Sequence, residues 1–401
     1  MPVSKAGRRQ NILGLYLEEL SKLIEPVVGT QRYRAKQIFG WVYAKGIFDF
    51  DRMLNLSKDL RKALSASFII EMPKPLKSVS SEKARVSKYQ LSLDDRMKIE
   101  CVLIGMRDKD TFCVSTQVGC RFHCAFCATG RMGLKRNLSS SEILGQILFL
   151  RSVSYSILDP GPISQSERLV RTQSHAEKVQ RQNQRTLGAR QPFDQNDLDG
   201  AVEPGRAFNV VFMGMGEPLD NYENTVKAIR IMEHPDGLAV GGRRITVSTC
   251  GIPERIKRLA KEELGVGLAL SLNATTEELR ARLVPAARTV RMKELLAAAE
   301  YFAEKTGRRI TLEYVLIGGV NDRPSDAKRL AAIASTLPCK INLIEFNALP
   351  GSAFAKPSEE AVRNFMQILY PRAPAVTLRK SKGSDIMAAC GQLGADARRG
   401  A

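Results

Sequence analysis

The sequence predicts an α/β protein: an open, partial barrel of six β/α units, preceded by a small helical domain and a β-hairpin. Six apolar, strand-like runs alternate with helical segments after residue 110, whereas residues 10 to about 70 show only helical patterns. The chain has 401 residues, and 44% of its side chains are hydrophobic. That length and composition are enough for one full-sized core and one small satellite domain.

Residues 1–80 are predicted to form the small all-α accessory domain, which we expect to bind RNA. The segment YRAKQIFGWVYAKG places apolar Ile38, Phe39, Trp41 and Val42 among basic residues, and the helical run LSKDLRKAL follows it. Residues 81–109 are predicted to form a β-hairpin, because two alternating runs flank a Leu-Asp-Asp-Arg turn.

The partial barrel is predicted to span residues 110–350. Its strand-like runs are DTFCVSTQVG, NVVFMGMG, RRITVSTC, GVGLALSLNA, RITLEYVLIG and KINLIEFNALP. In such folds the chemistry lies on the loops after the strands. Residues 153–206 interrupt the pattern with Gln, Arg, Ser and Asn, so we expect a flexible surface insertion there, either a solvated linker or an RNA contact. Residues 351–401 form a C-terminal segment.

The net charge of +19 favours a polyanionic partner, for which nucleic acid is the natural candidate. Charge alone does not distinguish RNA from DNA or from anionic lipid. The N-terminus is polar and no run is long enough to span a membrane, so we expect a cytoplasmic protein without a membrane partner. Eight irregularly spaced cysteines favour metal and thiol chemistry in a reducing compartment over a disulfide scaffold.

The most specific motif is the CxxxCxxC spacing of Cys120, Cys124 and Cys127 in GCRFHCAFCATG. Four-iron clusters are normally held by four cysteinates, so a tight triplet leaves one iron open for a substrate or cofactor. A zinc knuckle and a chance grouping are the alternatives, although zinc knuckles usually use two CxxC pairs. His123, inside the motif, is not needed as a ligand.

Polar groups follow the later strands and suit an amino-acid-like nucleoside cofactor. In MGMGEP, flexible backbone beside a carboxylate suits an ammonium group. The hydroxyls and amides at the other strand ends suit a ribose, a carboxylate or an adenine edge. The candidate cofactor-binding residues are Gly216, Glu217, Ser248, Ser271, Leu272, Asn273 and Asn347.

These motifs, with VTLRKSKGSDIMAACGQL near the C-terminus, together resemble one family, the RlmN/Cfr radical S-adenosylmethionine (SAM) adenine methyltransferases. The resemblance runs in order from about residue 20 to residue 396, with 153–206 as the main departure. It is closer to the RlmN branch, which acts at carbon 2 of adenine, than to the Cfr branch, which acts at carbon 8. It implies a radical SAM barrel, a 4Fe-4S cluster on three cysteines, and exchangeable SAM.

The resemblance also implies catalytic roles. Cys390 takes a methyl group from one SAM, and a radical formed from a second SAM activates that methyl group for addition to adenine. Glu100 is the proton acceptor, and Cys113 is the resolving thiol that releases the product by forming a transient disulfide with Cys390. Carbon 2 of adenine is electron-poor, so a radical route is needed.

The family implies 23S rRNA, in the peptidyl-transferase region, and tRNA, at the adenine 3′ of the anticodon, as substrates. It also implies an electron donor such as flavodoxin or ferredoxin, and we expect a monomer. Arg32, Arg34 and Lys36 are candidate RNA-backbone contacts. Two other classes stay open: another radical SAM reaction, and a basic RNA-binding protein with a structural metal site. Three further cysteines are interpreted as small buried apolar residues: Cys101, Cys250 and Cys339.

Overall fold

The N-terminal part of the protein consists of short helices and one pair of very short strands. The computed structural model describes residues 9–29, 31–106, 108–158 and 207–395. The elements of this part are β1 (Gln10–Asn11), α1 (Leu17–Val28), α2 (Tyr33–Phe39), a π-helical turn (Gly40–Ala44), a 3₁₀ turn (Phe50–Arg52), α3 (Lys58–Ser67) and β2 (Phe68–Ile69). Strands β1 and β2 pair in parallel. This part is therefore not purely helical, whereas the sequence predicted an all-α domain.

Local capping explains where these helices begin. The Ser57 hydroxyl accepts the backbone N–H of Leu60 at 3.3 Å at the start of α3. The Glu19 carboxylate accepts the N–H of Tyr16 at 2.8 Å at the start of α1. Both contacts satisfy first-turn donors that have no partner within the helix.

The N-terminal part packs against the rest of the chain through Phe39. Phe39 is buried, and the centroid of its ring lies 4.9 Å from that of His234.

Three antiparallel strands follow the N-terminal helices and form one end of the main sheet: β3 (Lys74–Ser80), β4 (Val86–Ser92) and β5 (Lys98–Gly105). Strands β4 and β5 confirm the predicted hairpin. Strand β3 was not predicted, because residues 1–80 were assigned to a helical domain. Its sequence, KPLKSVS, lacks an apolar face because β3 is the edge of the sheet and largely exposed.

The sheet continues from β5 through seven parallel strands. The remaining strands, with the small β7–β8 pair, are β6 (Asp110–Cys113), β7 (Gln117–Val118), β8 (Arg136–Asn137), β9 (Phe208–Phe212), β10 (Ile245–Thr249), β11 (Gly267–Ser271), β12 (Ile310–Leu316), β13 (Cys339–Glu345) and β14 (Val376–Arg379). The ten-stranded sheet has the order β14-β13-β12-β11-β10-β9-β6-β5-β4-β3. The six predicted barrel strands are confirmed as β6 and β9 to β13, whereas β14 is an additional parallel strand within the predicted C-terminal segment.

Helices connect these strands. They are α4 (Ala128–Met132), α5 (Ser140–Leu158), α6 (Tyr222–Glu233), α7 (Pro253–Ala260), α8 (Glu277–Leu283), α9 (Met292–Thr306), α10 (Pro324–Ser335) and α11 (Glu359–Leu369); short 3₁₀ turns are Gly242–Arg244, Pro285–Thr289 and Ser384–Ile386. Helix α5 extends to Leu158, so the insertion predicted from residue 153 begins inside a helix. Residues 159–206 of that insertion lie outside the described residues.

The parallel order places the carboxyl ends of β6 and β9 to β14 along one edge of the curved sheet. Strands β6 and β9 to β13 contribute buried apolar residues to the core, as do helices α5 to α7 and α9 to α11. The loops after the strands therefore meet at one side of a rigid scaffold, where sites in such folds are built.

Candidate active site

The cysteine triplet lies between β7 and α4, in a loop that the surrounding structure holds tightly. Cys120 and Cys124 are buried in a second apolar cluster with Phe122, Leu283 and Phe346. The Ala125 N–H donates to the Leu283 carbonyl at 2.9 Å. This packing and this hydrogen bond hold the loop that carries the three thiols. Burial raises the pKa values of Cys120 and Cys127, so in the absence of a metal these thiols hold their protons.

Arg280, on α8, is a charged residue in a buried position near the cysteine triplet. Its side chain is only 1% exposed. Its guanidinium donates to the backbone carbonyls of Leu272, at 2.7 Å, and of Cys250. Its Nε is buried without a hydrogen-bond partner, and Glu277 on the same helix interacts with it electrostatically. A cation this deep in the protein requires a nearby anion.

A cluster held by three cysteinates fits that requirement, since the ligand thiolates carry negative charge into the same region. Anionic Cys250 or Cys124 would raise the pKa of Arg280, against burial, which lowers it.

Six of the seven predicted cofactor-binding residues line one cavity of about 140 Å³, beside Cys124 and Cys127. These residues are Gly216, Glu217, Ser248, Ser271, Asn273 and Asn347. We call this space the SAM cavity, after the cofactor that the sequence predicts for these residues. The seventh, Leu272, does not line it: its side chain is fully buried in the core, and its backbone N–H bonds to the Glu313 carbonyl at 3.0 Å.

The two glycines of MGMGEP allow the close approach that forms the SAM cavity. A Cβ on Gly214 would lie 2.6 Å from the backbone of Val114, and one on Gly216, which has φ +106°, would lie 2.7 Å from the backbone of Gln117. Any larger residue would push this loop away from the loop after β6. The glycines thereby place Glu217 at the end of β9.

Glu217 is a buried carboxylate, only 2% exposed. Its two oxygens accept the N–H groups of Cys250, at 2.8 Å, and Leu219, at 3.1 Å. Burial raises the pKa of Glu217 to about 7, although these hydrogen bonds oppose the shift. A cationic partner in the cavity would favour the ionised form, which suits the ammonium group of SAM.

Glu313, on β12, is a second carboxylate in the SAM cavity, and the sequence analysis missed it. One oxygen accepts a long hydrogen bond from Ser248 at 3.4 Å, whereas Oε1 is buried without a hydrogen-bond partner. Burial raises the pKa of Glu313. The signal was present in ITLEYVL, where one acid interrupts an apolar strand.

A larger cavity of about 480 Å³ adjoins the first, and we call it the substrate cavity. Cys113 and Cys390 both line it, and Cys390 also lines the SAM cavity. The structure thus brings these two thiols together and places Cys390 between the two spaces. Three basic residues, Arg379, Lys380 and Lys382, lie along the same cavity.

Burial raises the pKa of the Cys113 thiol to about 12; desolvation of the thiol within the cavity also raises the pKa of Cys390, although that residue as a whole is exposed. The Arg379 guanidinium opposes both shifts, because a cation stabilises a thiolate. In return, anionic Cys390 is the largest cause of the raised pKa of Arg379. Arg379 is therefore the group that most favours a nucleophilic thiolate in this cavity.

The loop that carries Cys390 is held by hydrogen bonds from several elements. The Asn347 amide donates to the Cys390 carbonyl at 3.1 Å, and the Ala128 N–H donates to the Gly391 carbonyl at 2.7 Å. The Gly394 N–H donates to a Glu100 carboxylate oxygen at 2.8 Å. The C-terminal loop is therefore fixed over the strand ends, with Asn347 contacting both this loop and the SAM cavity.

Glu100 is not an exposed hairpin acid. It is 3% exposed and forms an ion pair with the equally buried Lys88 at 3.4 Å. Glu100 lines neither of the two cavities. Its carboxylate contacts the Cys390 loop by accepting the Gly394 N–H at 2.8 Å.

The sequence led us to interpret Cys250 as a small buried apolar residue, and the structure does not agree. It is only partly buried, lines the SAM cavity and has its Sγ 3.6 Å from Sγ of Cys124. Cys101 and Cys339 are fully buried, as that interpretation requires. His123 contacts the Gly130 carbonyl through Nδ1 at 3.0 Å.

Comparison with known proteins identifies the family. Residues 10–70 match the ribosomal RNA large subunit methyltransferase N-terminal domain, and residues 182–331 match the radical SAM superfamily. The dual-specificity RNA methyltransferase RlmN of Geobacter sulfurreducens is 39% identical over 96% of this chain and 91% of its own length. A probable RlmN of Thermotoga sp. (strain RQ2) is 41% identical over 96% and 97%. The chain belongs to the RlmN family.

A solved structure agrees with this assignment. The crystal structure of a radical SAM methyltransferase from Sphaerobacter thermophilus superposes with a TM-score of 0.79 at 38% identity, covering 96% of this chain and 99% of the other. The RlmN-family protein is therefore a radical SAM RNA methyltransferase, and its superfamily implies a 4Fe-4S cluster and SAM. Within the described ranges, no helix is long and apolar enough to cross a membrane.

Proposed function

We propose that this RlmN-family protein methylates carbon 2 of an adenine in 23S rRNA and in tRNA, through a methyl group carried on Cys390. One observation carries the proposal: Cys390 lines both the SAM cavity and the substrate cavity, and the second thiol needed for release, Cys113, lines the substrate cavity. A methyl carrier must reach a methyl donor and an acceptor base in turn.

In this proposal Cys120, Cys124 and Cys127 hold a four-iron cluster, which would supply the electron that cleaves SAM. Glu217 pairs with the SAM ammonium group. The other polar groups of the cavity bind the remaining atoms of SAM: Gly216, Ser248, Ser271, Asn273 and Asn347. We assign Leu272 no side-chain contact with SAM.

The methyl carrier and the resolving thiol act in sequence. The Cys390 thiolate, favoured by Arg379, attacks the methyl carbon of SAM; a new C–S bond forms as the bond to the sulfonium breaks, and S-adenosylhomocysteine leaves. After the activated carbon has bonded to adenine, the adduct must lose one electron, for which the oxidised cluster would be the acceptor, and the proton on carbon 2. Cys113 then attacks the Cys390 sulfur: the C–S bond breaks, its electron pair stays on the carbon, which takes up a proton and becomes the new methyl group, and a Cys113–Cys390 disulfide forms. A reductant must therefore regenerate both thiols.

The proton on carbon 2 needs an acceptor, and we assign that role to Glu100. Its carboxylate forms an ion pair with Lys88 at 3.4 Å, and its bond to the Gly394 N–H ties it to the Cys390 loop. Reaching the adenine requires a shift of that loop, since Glu100 does not line the substrate cavity among the described residues.

The substrate assignment rests on charge and on the relatives. The Geobacter protein is named a dual-specificity RNA methyltransferase, and the substrate cavity of this chain carries Arg379, Lys380 and Lys382. Arg34 on the N-terminal domain hydrogen-bonds to neighbouring glutamines, whereas Lys36 forms an ion pair with Asp236 at 3.1 Å. We therefore assign phosphate contacts to Arg32 and Arg34, rather than to Lys36.

The test uses anaerobically reconstituted protein, reductant, SAM with a labelled methyl group, and rRNA or tRNA transcripts. After digestion to nucleosides, we expect label in 2-methyladenosine; label in 8-methyladenosine would overturn the carbon 2 assignment. Cys390→Ala is expected to abolish transfer. Cys113→Ala is expected to leave RNA covalently attached to the protein, and Cys339→Ala is the matched control. Labelled RNA from Cys390→Ala would refute the carrier role.

A further inference from the structure

Cys250 directly follows β10 and lies against the loop of the cysteine triplet. Its Sγ is 3.6 Å from Sγ of Cys124, which is hydrogen-bonding distance for two sulfurs. Both residues line the SAM cavity. The ionised forms of Cys120 and Cys127 also interact electrostatically with Cys250. Cys250 is thus a fourth thiol beside the three proposed cluster ligands.

The backbone of Cys250 is held on both sides. Its N–H donates to a Glu217 oxygen at 2.8 Å, and its carbonyl accepts from the buried Arg280 guanidinium. The next residue, Gly251, has φ +112°, and a Cβ there would lie 2.5 Å from a methyl carbon of Leu295. These contacts leave little freedom for the Cys250 thiol to move away from Cys124.

We propose that the Cys250 thiol donates a hydrogen bond to the Cys124 sulfur and thereby raises the reduction potential of the cluster. This inference rests on the proposed binding of the cluster by the triplet. A cysteine bound to iron is a thiolate and has no proton to donate. The proton of the contact therefore belongs to Cys250, and Cys124 is the acceptor.

The sign of the effect follows from charge. Reduction adds one electron to the cluster, and the S–H bond of Cys250 stays intact. Because the reduced cluster is more negative, a donor at one of its sulfurs stabilises it more than the oxidised cluster, and hydrogen bonds to sulfur are among the factors that set such potentials. Cys250 acts through Cys124, so it is a positioning residue for electron transfer.

The experiment compares cluster potentials by electron paramagnetic resonance during redox titration of the reconstituted full-length protein without SAM. Only the difference in hydrogen-bond strength between the reduced and the oxidised cluster shifts the potential, and its upper limit is the full worth of a hydrogen bond, about fivefold in an equilibrium constant. We therefore expect Cys250→Ala to shift the potential to a more negative value by up to about 40 mV. Cys250→Ser restores a donor and should bring the potential back towards wild type. Cys339→Ala also removes one buried thiol and should have no effect.

Iron and sulfide content are measured first. If the wild type forms no four-iron cluster, the proposed cofactor assignment fails together with this inference. If the wild type forms a cluster but the alanine and wild-type potentials agree, or the serine variant shifts as far as alanine, only the inference is overturned. Loss of iron from Cys250→Ala alone would make Cys250 a ligand rather than a donor, which also overturns it.

A second measurement needs no variant. Electron–nuclear double resonance of the reduced wild-type cluster in H₂O and D₂O should show an exchangeable proton coupled to the cluster, beyond those of slowly exchanging backbone amides. Its absence would refute the hydrogen bond even if every Cys250 variant failed to fold.

Discussion

Glu217 offers the sharpest test of the SAM cavity, because its protonation state should control SAM binding. The carboxyl group is 2% exposed, and burial raises its pKa to about 7. Only the ionised form pairs favourably with an ammonium group. We expect Glu217→Gln, which removes the charge and keeps the shape, to weaken SAM binding.

The magnitude follows from burial. Moving the pKa from 4.5 to about 7 means that the ionised carboxylate is disfavoured in the ligand-free protein by about 3 kcal/mol. A cationic partner offsets that penalty. Removing one member of a buried ion pair typically costs about 3 kcal/mol or more, so the variant should bind SAM about a hundredfold more weakly at pH 8.

The pH dependence has a definite sign. At pH 8 most Glu217 is ionised, whereas at pH 6 only about one molecule in ten is, so the Glu217 contribution to SAM affinity should fall about tenfold. The same shift affects the ligand-free fold. Because the folded-state pKa is raised, Glu217 makes the fold less stable as pH rises from 4.5 through 7, and Glu217→Gln removes this loss.

The assay is anaerobic equilibrium dialysis of labelled SAM against reconstituted wild type and Glu217→Gln between pH 6 and pH 8.5. The ratio of the two affinities is the quantity to follow, since titration of SAM itself cancels in it. Glu254→Gln removes a carboxylate that is 82% exposed and serves as the control. A ratio that does not change with pH, or a glutamine variant that binds as wild type, would refute the reasoning.

Three further predictions concern buried charges. Glu313→Gln should weaken SAM binding about tenfold in the same dialysis with iron content unchanged, because Glu313 lines that cavity and one of its buried oxygens has no hydrogen-bond partner. Unchanged affinity would remove Glu313 from the site. Lys88→Met should destabilise the fold by about 3 kcal/mol, measured by thermal unfolding, because the ion pair with Glu100 is lost. Adding Glu100→Gln should recover part of the lost stability. Equal melting temperatures of the wild type and Lys88→Met would contradict a stabilising ion pair. Arg280→Met should lower the iron bound per chain after reconstitution, because a buried cation that interacts with Cys250 and Cys124 is gone. Full iron content in a folded variant would contradict its electrostatic role.

The sequence was sufficient for the central strands and insufficient for the edges of the sheet. Strands β9 to β13 are buried, so each leaves an apolar run that a pattern search recognises. The outermost strands β3 and β14 have a neighbour on one side only and are largely exposed or half-buried, so their sequences KPLKSVS and VTLR carry no such run. Solvent on one side removes the hydrophobic signal without removing the hydrogen bonds.

The site divides in a similar way. Residues within compact motifs, such as Glu217 and Ser248, could be predicted because motif spacing and strand ends place them together. Glu313, Cys250 and Arg280 could not, because their roles depend on partners far away in the chain: Cys250 contacts Cys124 across 126 residues. An acid inside an apolar strand, as at Glu313, is the one local signal of this kind.

Cys250 links the two halves of the proposed chemistry. Its amide is bound by Glu217, the group assigned to the SAM ammonium, and its thiol contacts Cys124, a proposed cluster ligand. When Glu217 pairs with a ligand ammonium, its charge and its bond to the Cys250 amide change together. SAM binding should therefore alter the environment of the Cys124 sulfur through one short covalent segment. It follows that the shift in cluster potential caused by SAM should be smaller in Cys250→Ala than in the wild type, since the alanine keeps the amide contact and loses the thiol.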